Sequence, residues 1–329
     1  MTATTGNDRR VAIVGATGAV GGQLVELLCE RGFPFSELRL FASPDSAAQS
    51  VEYGEHRYPI EPLADPGNLK DFDLAFLAVP PSVAADIVRA RPGPLLIDLS
   101  AAGRAPAGVP FAAPGLTSRL RMVGLGGRGQ EVLAPPHPGA EAIASIMSAL
   151  GIEPPFVGAT LMLGASSMGK AQVSDLIRQS ADLLNARLNV EEDEPQLAFN
   201  IYLAQNEDEF AGAISAQVGE LLGHTPKLML RIVRAPVLHG TALTIFIPAT
   251  AGIEGWRDKL AGAPGMLLLE DQDHAGVADA VSQEAICLSV RSGPSGLALW
   301  CVFDSARRAA MSALWIAECV LPAASSTIN

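Results

Sequence analysis

Val11-Ala12-Ile13-Val14-Gly15-Ala16-Thr17-Gly18-Ala19-Val20-Gly21 is the stretch whose reading decides the fold. Four consecutive apolar residues followed at once by glycine read as a strand buried on both faces, the habit of parallel sheets. Ala19 to Arg31 then carries Val20, Leu24, Leu27 and Leu28 at helical spacing. A glycine turn between such a strand and helix has a physical role. Gly15 permits the tight turn, Gly18 lets backbone N–H groups approach a pyrophosphate, and Gly21 lets helix and sheet pack closely. The helix N-terminus adds partial positive charge. Gly15, Thr17, Gly18, Ala19, Val20 and Gly21 are therefore candidate cofactor-binding residues. The same turn would also serve packing alone, with nothing bound.

Working outward, Leu38–Ala42, Leu74–Val79 and Leu95–Asp98 read as further buried strands, and Ser82–Arg91 as a helix. Apolar runs alternating with helices predict a Rossmann-type, doubly wound parallel sheet. After the second strand comes Ala42-Ser43-Pro44-Asp45-Ser46, and Asp45 lies where an acidic residue binds a ribose hydroxyl. Its charge would repel a 2′-phosphate, which favours NAD over NADP; a simple turn-forming aspartate is the alternative. Pro106 to Gly129 is rich in Pro and Gly and reads as irregular surface chain.

The second half has a different rhythm. Val157–Leu163, Leu228–Val233, Thr241–Pro248, Ala285–Arg291 and Leu297–Phe303 read as longer strands, with helices at Lys170–Asn185 and Asp208–Leu222. That clustering predicts an α+β domain with a mixed sheet. A last helix is expected at Ala306–Leu321, and the acidic run Glu191–Glu194 reads as a solvated loop. The expected domains are 1–134 with the C-terminal helix 305–329, and 135–304.

The chain has 329 residues, 49% of them hydrophobic, and a net charge of −12, with a pI near 4.9. An acidic surface argues against general nucleic-acid binding, which needs cations to displace counterions. It argues equally against docking on an anionic membrane. No apolar stretch approaches the ~20 residues needed to span a bilayer. The first residues lack an apolar signal region, so a cytoplasmic location is expected. The four cysteines, Cys29, Cys287, Cys301 and Cys319, show no metal-ligand spacing and read as small buried hydrophobes.

The glycine turn, Phe33-Pro34 and Phe41-Ala42-Ser43 resemble the start of the aspartate-semialdehyde dehydrogenase family. The resemblance continues through Ile97-Asp98-Leu99-Ser100-Ala101-Ala102-Gly103-Arg104, Ser166-Ser167-Met168-Gly169-Lys170, Arg234-Ala235-Pro236-Val237 and Asp304-Ser305-Ala306-Arg307-Arg308. It implies a homodimer formed through the second domain, a place in amino-acid biosynthesis, and NADP-dependent phosphorylating aldehyde chemistry. That chemistry needs a cysteine nucleophile and an acid/base histidine.

Carried over residue by residue, the resemblance gives Arg104 to phosphate, Arg234 to the substrate carboxylate, and Lys170 to the family's lysine. The nucleophile falls on Pro138, within Pro135-Pro136-His137-Pro138-Gly139-Ala140, and no cysteine lies between Cys29 and Cys287. The histidine falls on Thr241. Two nearby histidines, His137 and His239, are candidates to stand in, and His239 would share a strand face with Thr241 if that segment is extended. Other family positions read Pro80-Pro81 for a glycine pair, Leu163 for a glutamine and Ser305 for an asparagine. The expectation is a member of the family without its reaction, acting as a binding, regulatory or assembly subunit, with hetero-association a further option. The alternative is an oxidoreductase of non-covalent mechanism on a small anionic substrate. The cofactor stays open between NAD, NADP and none.

Overall fold

The computed structural model describes residues 9–44, 50–53, 56–100, 109–118, 122, 131–187, 195–270 and 275–321. Asp45, Arg104 and the acidic run 191–194 lie outside the described residues. The chain divides into two compact units, Met1–His137 with Ala309–Asn329, and Pro138–Arg308.

The first unit holds a seven-stranded sheet in the order β3-β4-β2-β1-β5-β6-β7. The strands are β1 (Arg10–Val14), β2 (Glu37–Ala42), β3 (Ser50–Tyr53), β4 (His56–Pro62), β5 (Leu74–Leu77), β6 (Leu95–Asp98) and β7 (Val132–Leu133). All pairings are parallel except β3 with β4. Helix α1 (Ala19–Glu30) returns the chain from β1, and α2 (Pro81–Ala90) from β5. The order runs outward from β1 in both directions, so the sheet is doubly wound. Leu24, Leu27 and Leu28 of α1 are fully buried, and burial of each leucine side chain contributes about 1.5–3 kcal/mol.

The sequence reading passed over one part of this unit and misread another. Residues 50–53 and 56–62 form β3 and β4, and β4 extends the parallel sheet beside β2; its Glu, His, Arg and Pro break the pattern of an apolar run. The described part of 106–129 is not surface chain either. Phe111, Ala112, Ala113 and Met122 are buried, and Phe111 bridges to Ala134. Proline and glycine mark irregular backbone, and irregular backbone can still bury its side chains.

The second unit carries a mixed sheet in the order β12-β13-β14-β11-β8-β10-β9. These strands are β8 (Val157–Leu163), β9 (Tyr202–Leu203), β10 (Leu228–Arg234), β11 (Thr241–Pro248), β12 (Met266–Leu268), β13 (Ile286–Gly293) and β14 (Gly296–Phe303). The helices are α3 (Pro138–Leu150), α4 (Lys170–Leu184), α5 (Glu207–Leu222) and α6 (Trp256–Ala261), while α7 (Ser305–Val320) leads back to the first unit. Along β8 burial alternates residue by residue, the period-two signature of a sheet with one core face. Glu207, Asp208 and Glu209 place negative charge at the positive end of α5, and Gly223 ends that helix at φ +76°.

Candidate functional site

In the first unit the glycine turn sits where the strand order reverses, between β1 and β5. Crevices at such switch points are where open α/β sheets bind ligands. Gly15 has φ +91°, and a Cβ there would come within 2.2 Å of the Ala78 carbonyl oxygen. A Cβ on Gly21 would come within 2.1 Å of the Gly15 carbonyl oxygen. Both glycines are therefore required by shape. Gly15 N–H donates to Phe41 O at 2.7 Å, tying the turn to the end of β2. Gly18 caps α1 without a side-chain hydrogen bond, Ala19 is exposed, and Thr17 and Val20 are half-buried. The first backbone N–H groups of a helix have no partner within it and can face an anion.

The loop after β5 is less generous. Pro80 caps α2 and Pro81 opens it, so neither can offer a backbone N–H. Asp98, buried at the end of β6, accepts from Ser100 N–H at 2.9 Å and Ser100 Oγ at 2.6 Å.

In the second unit, strand register collects the positions that the sequence scatters. Tyr202 pairs with Arg234, Arg234 with Leu163, Leu163 with Thr241, and Thr241 with Phe303. The five form one row across β9, β10, β8, β11 and β14. At the end of this row two loops are zipped together: Ala165 N–H donates to Val237 O at 2.9 Å, and Ser166 N–H to Leu238 O at 3.0 Å. Arg234 Nη1 donates to Ser167 Oγ at 2.8 Å, and that hydroxyl donates to Gly164 O at 2.7 Å.

Arg234 and Tyr202 line a cleft of about 190 Å³ with Met168, Gln172, Asp175 and Gln205. Burial is the main influence on Arg234 and lowers its pKa, with Tyr202 opposing. Burial likewise raises the Tyr202 pKa, which Arg234 partly offsets. Gln179, also at the cleft wall, is committed to structure: its Oε1 accepts from Leu197 N–H at 2.7 Å and Ala198 N–H at 3.2 Å. Lys170 is exposed at the start of α4 and does not line the cleft.

The remaining site residues fall as follows. Pro138 is buried as the first residue of α3, and His137 is buried just before it. Thr241 is fully buried, and among the described residues its Oγ1 has no hydrogen-bond partner. His239 corrects an expectation. The chain bends at Leu238–His239, Gly240 has φ +84°, and β11 begins only at Thr241. His239 is exposed while Thr241 is buried, so the two do not share a face.

Of the thiols, Cys287 and Cys301 are buried on β13 and β14, Cys319 is buried on α7, and Cys29 is only half-buried on α1. Burial pushes the Cys301 thiol far up, so it stays protonated. Among the described residues no cluster of metal-ligating side chains occurs, and no helix is long and apolar enough to cross a membrane.

Sequence reasoning missed Tyr202, Gln172 and Gln205. Tyr202 acquires its place only through pairing of the two-residue strand β9, too short to leave a periodic signal. It also missed the buried Glu141–Arg308 ion pair, in which Arg308 Nη2 donates to Glu141 Oε1. Arg308 Nη1 donates further to Glu284 O at 3.0 Å. That pair ties the first turn of α3 to the start of α7.

A doubly wound unit with a glycine turn at its switch point, together with a mixed-sheet unit carrying an arginine cleft, defines a two-domain architecture of the nucleotide-dependent dehydrogenase class. Residues 10–120 match the family described as "Semialdehyde dehydrogenase, NAD binding domain". The chain is 31% identical to an aspartate-semialdehyde dehydrogenase of Synechocystis sp., covering 94% of this chain and 96% of that one. It is also 31% identical to a USG-1 protein homolog of Azotobacter vinelandii, covering 94% and 97%. Among solved structures, a probable aspartate-semialdehyde dehydrogenase from Pseudomonas aeruginosa is similar at 30% identity with a TM-score of 0.80, covering 94% of this chain and 97% of that one. The chain belongs to the aspartate-semialdehyde dehydrogenase family.

Proposed function

We propose that this chain has kept the family's fold and anion-holding groups but not its thiol-dependent reaction, and that it serves as a binding, regulatory or assembly subunit. One observation carries the reading. The position that the resemblance gives to the nucleophile is Pro138, buried at the start of α3, and no thiol stands in its segment. A thioester or thiohemiacetal needs a thiolate. Thr241, at the family's histidine position, is buried with no hydrogen-bond partner among the described residues, and a threonine hydroxyl is far too weak an acid to replace an imidazole as acid and base near neutral pH. In this reading the chain forms a homodimer, and Arg234 holds an anion without reaction, while the exposed Lys170 stands apart from the cleft.

A second reading rests on the glycine turn, whose close-packed geometry suits a pyrophosphate. Hydride transfer on a small anion needs cofactor and a proton source but no thiol. The family model's NAD-binding description supports NAD or NADP as the ligand of that turn.

Calorimetric titration with NAD, NADH, NADP and NADPH separates the readings, alongside an assay of aspartate-semialdehyde oxidation with phosphate. The leading reading expects no turnover in the assay. Turnover at rates typical of enzymes would overturn it. Micromolar cofactor binding without that turnover favours the second reading, and no binding up to millimolar cofactor removes it.

A further inference from the structure

In the Arg234 cleft, Tyr202 lies directly opposite Arg234 in the antiparallel β9–β10 pair. Opposed residues project to the same face with their Cβ atoms about 4.5–5.5 Å apart. The phenol and the guanidinium therefore line the cleft side by side. Arg234 gives Nη1 to the neutral Ser167 hydroxyl, and among the described residues no carboxylate pairs with it. An arginine in that state, partly desolvated at a cleft wall, is a seat for a carboxylate.

The rest of the lining restricts what that carboxylate is attached to. Among the described residues Arg234 is the sole cation lining the cleft, which suits one negative charge and disfavours a phosphate dianion. The one acid among the described lining residues, Asp175, already faces Arg178 Nη2 at 3.4 Å. Gln172 and Gln205 are neutral donors and acceptors, and the volume of about 190 Å³ lies below the usual range of drug-sized pockets and suits a small ligand.

We propose that Tyr202 is a specificity-determining residue of this cleft, and that the ligand class is a small monocarboxylate bearing a neutral hydroxyl, with the carboxylate on Arg234 and the hydroxyl on Tyr202. The proposal rests on the reading of Arg234 as an anion-holding group.

The test titrates the full chain, by calorimetry or ligand-observed NMR, with lactate, propionate and alanine as probes. Lactate carries carboxylate and hydroxyl, propionate lacks the hydroxyl, and alanine replaces it with an ammonium group. The expected result is that lactate binds about fivefold tighter than propionate, the usual worth of one hydrogen bond. Y202F should erase that advantage and leave propionate binding unchanged. R234Q should abolish binding of both acids.

Equal affinity for lactate and propionate, or an unchanged advantage in Y202F, overturns the role of Tyr202 and leaves Arg234 as a plain carboxylate seat. Alanine binding tighter than lactate overturns the neutral-hydroxyl class and makes Asp175 the selecting group. No binding of any probe, or binding that survives R234Q, defeats the anion-holding reading itself and the proposal with it. Thermal melting reports whether R234Q is folded. If it is not, R234K is used, which keeps the charge without the planar fork and should weaken both acids alike.

Discussion

The glycine turn of the first unit and the strand-end row of the second differ in what has been kept. In the turn, backbone shape is retained to the limit: added Cβ atoms at Gly15 and Gly21 would lie 2.2 and 2.1 Å from carbonyl oxygens. In the row, the sheet brings Arg234, Leu163 and Thr241 into register on neighbouring strands, and Pro138 starts α3; on the proposed reading the scaffold persists there while the family's reactive groups do not. Shape in the turn serves folding as well as binding, so its loss would cost stability at once. Reactive side chains serve catalysis alone and can be exchanged without unfolding the chain.

If that contrast is right, the largest effects should come from the turn. Gly15→Ala and Gly21→Ala should each destabilise the protein by about 3 kcal/mol or more, since neither carbonyl can give way cheaply. Gly22→Ala, where an added Cβ meets nothing within 4 Å, should instead stabilise by about 0.5–1 kcal/mol through helix propensity. Urea denaturation of the three variants reads this directly. Near-equal effects at Gly15 and Gly22 would show that shape is not what the turn retains.

The buried Glu141–Arg308 pair comes next. Glu141→Gln alone should cost about 3–5 kcal/mol, because it leaves the Arg308 charge buried without its carboxylate. The double variant E141L/R308M should recover much of that loss. A cost below about 1 kcal/mol would mean that water or another group compensates Arg308.

Thr241 should respond in the opposite sense. Its hydroxyl is buried without a partner, so Thr241→Val should raise stability by about 1 kcal/mol, seen as a higher melting temperature. A loss of stability would point to a hydrogen bond in the native protein and a more than vestigial role for this position.

The smallest effect concerns a surface pair. Arg10 Nε lies 2.7 Å from Glu37 Oε2, and the hydrogen bond from Arg10 lowers the Glu37 pKa. A depressed carboxylate contributes stability above its unfolded pKa, near 4.3, and loses it as pH falls through the folded value. Glu37→Gln should therefore flatten the stability profile below about pH 4, and leave the shape of the alkaline side unchanged. The pair is solvent-screened, so the change sits near the resolution of a calorimetric pH series. A change confined to alkaline pH would contradict the assignment.

The first unit was the more legible in sequence. Val11–Val14, Leu74–Leu77 and Leu95–Asp98 are apolar on both faces, and Gly15, Gly18 and Gly21 fall where a βα turn needs them. β4 escaped because its polar residues and proline break the pattern of a buried run. In the second unit the long strands and helices were readable, yet the cleft was not. Tyr202 lies 32 positions from Arg234 in the chain and meets it only through the short strand β9. Gln172 reaches the same wall from helix α4.

What the sequence determined by itself is therefore periodic and local: the two fold classes, the glycine turn, and the absence of any cysteine between Cys29 and Cys287. These follow from residue type and short-range spacing, which need no partner strand. Only the tertiary structure decided that Thr241 is buried with an unanswered hydroxyl, that His239 turns out to solvent, and that Arg234 faces Tyr202. Register and burial are set by contacts between distant segments, and no window of sequence contains both sides of such a contact.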